Sequence, residues 1–229
     1  MNFLIGGDSW SQGEWDGDWE TIPSTYQVCH EGTTEYLRNA GHTVTNVGAG
    51  SIGNQVAINN IITRLIDCKL KYDFLIFFHT DPLRDATEHQ LQTNFPIELV
   101  ESLSINTINR LNNIHHQYQV KIILIGGFSE LSSTLNYGNI DYIIPSFCKL
   151  LESKFNDSIF SISPEWKNHV SLPMIGSVKQ KQQYLDIFDQ GGNKFSEYAR
   201  YPEYFYPDGC HPNRHAHRVL TDKILQLIL

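Results

Sequence analysis

The chain of 229 residues carries 41% hydrophobic and 18% charged side chains, a folding composition that excludes a disordered chain. Lys+Arg 17 against Asp+Glu 25 gives a formal net charge of -8, which argues against nucleic acid or an anionic membrane as partner, since both demand clustered cations. Four cysteines without a C-x-x-C pair, no apolar run near the ~18 residues of a membrane span, and an N-terminus without a basic region exclude a disulfide framework, a zinc knuckle, a membrane anchor and a signal peptide, so a cytoplasmic protein is expected.

Phe3-Leu4-Ile5 reads as a first strand that breaks at Gly6-Gly7. A helix over roughly 31–40, closed by Gly41, leads into a strand at Val44–Val47. Ile58, Ile61, Ile62, Leu65 and Ile66 then recur with the spacing of one helix face. Phe74–Phe78 is a solid apolar strand, 97–118 a helix burying Val100, Ile108, Leu111 and Ile114, and Ile122–Ile125 a second solid strand ending at Gly126-Gly127. A weaker strand is expected at Ile159–Ile162, and Val219, Leu220, Ile224, Leu227 and Ile228 mark a closing helix. Continuous apolar strands alternating with amphipathic helices predict a doubly wound α/β fold around a parallel sheet. Sites in such sheets lie at the carboxyl ends of the strands. Residues 10–29 and 164–207 fit no element and read as inserts in one domain spanning 1–229.

Two fragments carry chemistry. Gly6-Gly7-Asp8-Ser9 follows the first strand, where a tight turn can expose a serine hydroxyl and aim the serine N–H into the same cleft. A plain glycine-rich turn is the competing explanation. Asp208-Gly209-Cys210-His211-Pro212-Asn213 precedes the last helix; a carboxylate three residues before an imidazole can hold one ring nitrogen and leave the other as a general base. A simple helix-capping turn would look much the same.

Together, Gly7-Asp8-Ser9 and Asp208-x-x-His211 resemble the GDSL, or SGNH, hydrolases, over essentially the whole chain. The resemblance implies a flavodoxin-like three-layer α/β sandwich with a central five-stranded parallel sheet. It makes Ser9 the nucleophile, His211 its base and Asp208 the orienting carboxylate. The family's glycine oxyanion donor falls within Asn46–Asn54, at Gly50, with Ser51 and Gly53 as alternatives. Where the family reads Gly-x-Asn-Asp, this chain reads Phe78-His79-Thr80-Asp81, so Thr80 replaces the amide donor with a shorter hydroxyl. The run Thr80-Asp81-Pro82-Leu83-Arg84 is similar to a divergent branch encoded by bacteriophages and bacteria. The implied activity is that of a serine esterase on a short acyl or O-acetyl group, for instance on a carbohydrate. No metal or organic cofactor is implied, and the partner is a small-molecule or glycan ester. The rival expectation is a non-catalytic SGNH-fold binding or structural module, such as part of a phage particle, which would place the protein in a virion.

The remaining candidates read mostly as structure. Arg84 either reaches a substrate carboxylate or, as the favoured reading, pairs with Asp81 or Asp85, and His79 is expected to be a satisfied, partly buried histidine. His115 and His116 close a helix, and His215 and His217 lack metal-ligand spacing. Cys210 reads as a small packed neighbour of the site, and Asp16, Asp18 and Glu20 as a solvated face. Trp10, Trp15 and Trp19 are either core and loop anchors or a platform for a sugar ring.

Overall fold

The solid apolar runs become the interior of a parallel sheet. Strands β1 (Asn2–Gly6), β4 (Thr43–Asn46), β5 (Phe74–His79), β6 (Lys121–Gly126) and β7 (Tyr142–Ile144) assemble in the order β4-β1-β5-β6-β7. Every neighbouring pair is parallel. The computed structural model describes residues 1–16, 27–68, 70–87, 89–90, 96–127, 130–152 and 211–229.

Alternate residues of a strand face opposite ways, so each apolar run supplies two cores. On one face Phe3, Ile5, Ile76, Phe78, Ile123 and Ile125 pack with Leu37, Phe147, Leu220 and Ile224. On the other, Leu4, Leu75, Phe77, Ile122 and Leu124 pack with Ile58, Ile61, Leu111 and Ile114. Helices α2 (Thr33–Asn39), α5 (Phe147–Glu152) and α6 (Arg214–Ile228) therefore cover the first face, and α3 (Asn54–Asp67) and α4 (Pro96–Tyr118) the second. The expected three-layer α/β sandwich around five parallel strands is the observed one. No described helix is long and apolar enough to cross a membrane.

Two features depart from the sequence reading. The fifth strand is Tyr142–Ile144, paired to β6 through Leu124 and Ile143; the run at Ile159–Ile162 lies outside the described residues. In addition, the first insert contains a hairpin, β2 (Glu14–Asp16) with β3 (Gln27–His30), antiparallel and separate from the main sheet. Three- and four-residue strands carry too little periodicity to announce themselves, and their pairing partners decide them.

The winding fixes where a site can form. From β1 the chain passes through α2 to β4 on one side, then crosses back through α3 to β5 and continues outward to β6. The order reverses between β1 and β5, so the loops leaving those strands diverge and open a crevice at their carboxyl ends.

Candidate active site

The loop leaving β1 is shaped by its second glycine. Gly7 has φ +145, and a Cβ there would lie 2.6 Å from Phe78 Cβ on β5. Only glycine permits both the conformation and the close approach of the two strand ends. Asp8 then caps a single helical turn, α1 (Ser9–Gln12). Its Oδ1 accepts from the Trp10 N–H at 3.1 Å, and its carbonyl accepts from the Ser11 hydroxyl at 2.6 Å. The half-buried Ser9 is thereby held at the crevice, with its Oγ 3.0 Å from His211 Nε2.

His211 comes from the far end of the chain, just before α6. Asn213 caps that helix, its Oδ1 accepting from the N–H groups of His215 at 2.9 Å and Ala216 at 3.1 Å. The backbone N–H and Nε of Arg214 donate to Glu14 Oε2 at 2.6 and 2.8 Å, tying the start of α6 to β2. Burial would raise the Glu14 carboxyl, but hydrogen bonds and charge from Arg214 outweigh it and hold the group below its ordinary value. The next residue, Trp15, donates Nε1–H to the Ser9 carbonyl at 3.1 Å, and its ring centroid is 5.9 Å from that of His211. Thus β2 forms a wall beside the serine–histidine contact. Asp208, expected to orient the second imidazole nitrogen, lies outside the described residues, as do Cys210, Asp18, Trp19 and Glu20 and the whole insert 164–207.

Thr80 follows β5 and is only 7% exposed. Its N–H donates to Asn54 Oδ1 at 2.9 Å, and its carbonyl accepts from Asn54 Nδ2 at 3.0 Å. The fully buried Asn54, first residue of α3, consumes both backbone polar groups of Thr80 and leaves the hydroxyl as its remaining donor.

Gly50 is exposed in the turn between β4 and α3, where a Cβ would lie 3.5 Å from both Gln12 Oε1 and the Trp15 ring. The turn is laced to the serine loop: Ala49 N–H donates to the Gly7 carbonyl at 3.2 Å, and Asn46 Nδ2 to the Ser11 carbonyl at 2.6 Å. Ser51, the alternative, is exposed at φ +61. Gly53 is buried at the N-cap of α3, where a side chain would run into the Asp85 carboxylate, a structural reason for glycine.

Arg84 differs from expectation. Asp81 Oδ1 accepts from the Leu83 N–H at 2.9 Å to cap a 3₁₀ turn, Pro82–Asp85, and Asp85 Oδ1 accepts from the Gln55 N–H at 3.0 Å. Arg84 instead directs Nη1 to Asp8 Oδ2 at 3.3 Å. His79 departs too: it is buried rather than partly so, its Nε2 has no hydrogen-bond partner among the described residues, and burial pushes it down to about 4. His217 is fully buried on α6 with Nδ1 3.2 Å from the Thr33 hydroxyl, and burial pushes it down to about 3. Trp10 is core, edge-on to Phe147 with centroids 5.6 Å apart, which leaves Trp15 as the tryptophan at the site among the described residues.

Sequence reasoning missed Asn54 as the clamp on Thr80 and Arg84 as the partner of Asp8. A polar residue directly after the Gly53 helix start was the one available signal for Asn54. Nothing local signals Arg84, because its partner is 76 residues away.

No family model matches the chain. No curated protein matches it either. Solved structures align along nearly its whole length. The lipase Lip_vut3 from a goat rumen metagenome is 11% identical at TM-score 0.49, covering 100% of this chain and 97% of its own. The psychrotrophic esterase EstA from Pseudoalteromonas sp. is 14% identical at TM-score 0.43, covering 99% and 96%. A mutant of Axe2, an acetyl-xylooligosaccharide esterase from Geobacillus, is 12% identical at TM-score 0.40, covering 100% and 94%. Likeness this slight carries no argument about chemistry, which rests instead on a serine hydroxyl and an imidazole in hydrogen-bond contact at the crevice of a parallel sheet.

Proposed function

We propose that the chain is a serine esterase in which Ser9 attacks, His211 is the base and Asp208 orients the imidazole. The 3.0 Å contact between Ser9 Oγ and His211 Nε2 is the observation that carries the reading. As Oγ bonds to the acyl carbon, Nε2 takes its proton; the carbonyl oxygen becomes an oxyanion facing the Ser9 N–H, the Gly50 N–H and the Thr80 hydroxyl. Collapse expels the alcohol, which receives the proton from His211. Water then attacks the acyl-enzyme through the same base, releasing the acid and restoring Ser9. A short acyl or O-acetyl ester of a carbohydrate is the substrate class we favour, because the Trp15 ring offers a flat apolar wall for a sugar beside the reacting pair.

A fluorophosphonate probe tests this directly. Covalent labelling that vanishes in Ser9→Ala, with hydrolysis of p-nitrophenyl acetate near pH 8, is the expected result. Absence of both would leave the non-catalytic binding module as the reading. A panel of acetylated sugars and p-nitrophenyl esters of rising chain length then defines the acyl group.

A further inference from the structure

We infer that Arg84 is a positioning residue that locks the loop carrying Ser9 to the loop carrying Thr80. The inference rests on the esterase reading and adds a residue to it. Asp8, beside Ser9, spends Oδ1 on capping α1 through the Trp10 N–H at 3.1 Å and offers Oδ2 to Arg84 Nη1 at 3.3 Å. The two side chains are only 18% and 9% exposed, for Arg84 and Asp8, and Arg84 Nε is buried with no hydrogen-bond partner among the described residues. A pair so removed from water is a poor source of stability, since desolvation offsets the attraction; the best-attested use of such pairs is to select one arrangement.

The arrangement selected here is specific. Arg84 sits in the 3₁₀ turn Pro82–Asp85, which Asp81 caps through the Leu83 N–H, and that turn directly follows Thr80, gripped by Asn54. The guanidinium is therefore carried by the turn that follows Thr80, and Asp8 by the serine turn. Their contact bridges the crevice where the loops after β1 and β5 diverge. It sets the separation between Ser9 Oγ and the Thr80 hydroxyl without touching substrate. Sequence proximity would have paired Arg84 with Asp81 or Asp85, yet its guanidinium meets the carboxylate of Asp8, 76 residues away, across the two loops.

The test compares Arg84→Met, Arg84→Lys, Asp8→Asn and the double variant Asp8→Asn/Arg84→Met in the full chain. The readout is the rate at which Ser9 Oγ displaces fluoride from a fluorophosphonate, with kcat and KM on p-nitrophenyl acetate. A displacement of about 1 Å between reacting groups can cost about 100-fold, so Arg84→Met should slow labelling by about that factor and lower kcat with KM nearly unchanged. Arg84→Lys should recover part of the loss, and the double variant should be no slower than the slower single one. Wild-type labelling by Arg84→Met, a change in KM alone, or additive losses would overturn the inference. Should Arg84→Met fail to fold, Arg84→Lys and Asp8→Asn decide: wild-type rates in both overturn it, and losses in both uphold it. A wild-type chain that never labels would instead sink the esterase reading. In that case the His211 ring resonances in NMR decide: a shift in Arg84→Met that Arg218→Met does not share upholds the positioning role, and no shift overturns it.

Discussion

At the scale of single residues, the sharpest question is what a threonine does where an amide donor is expected. Asn54 holds the Thr80 backbone from both sides, which limits the region its hydroxyl can reach. Removing one oxyanion donor costs about 10²–10³ in rate, so Thr80→Ala should lower kcat by that range with KM little changed, and Thr80→Ser should keep most of the activity. Steady-state kinetics on p-nitrophenyl acetate reads the difference. That Ser9 and His211 would meet was legible in the sequence, because each lies in a local turn next to a regular element. The partner of Arg84 was not legible. It lies 76 residues away, and which carboxylate the guanidinium meets is decided by how two loops come together rather than by local composition.

At the scale of elements, strands with solid apolar runs and helices with long apolar faces followed from periodicity alone. The shorter pieces did not: β7 is three residues between Asp141 and Pro145, and β2 and β3 hold together by pairing with each other. Those short pieces matter most to the site, since β2 brings both Trp15 to Ser9 and Glu14 to the start of α6. The cap on α6 offers a measurable handle. Losing an N-cap side chain costs about 1 kcal/mol, so Asn213→Ala should lower the unfolding free energy by about that amount in urea titrations. Asn213→Asp, which keeps the acceptor and suits the helix dipole, should be close to neutral.

At the scale of the whole molecule, the two buried histidines link stability to pH. Folding holds His79 and His217 neutral, at about 4 and about 3, whereas in the unfolded chain they bind protons near the ordinary imidazole value of 6.5. Burial dominates both shifts; around His217, His30 and His211 lower it further while the Gly13 backbone and Glu14 oppose them. The unfolded state therefore carries more protons below 6.5, and stability is full above that value and declines as pH falls through it toward about 4 and then 3. His79 alone accounts for on the order of 3 kcal/mol by its lower limit. Urea midpoints from pH 8 to 4.5 should show this decline, and His79→Gln should flatten it. A midpoint independent of pH in that range would refute the assignment. The overall architecture was legible because burial on both faces of a parallel sheet writes itself as solid apolar runs, while the pH response was not, since exposure is a property of the assembled layers. One last consequence follows from the reach of the Ser9–His211 contact, which spans 202 residues. Every strand of the main sheet is synthesised well before His211, so a growing chain can build its central sheet before the residue that meets Ser9 exists. On the proposed esterase reading, Ser9 therefore gains its base only when the start of α6 docks beside it.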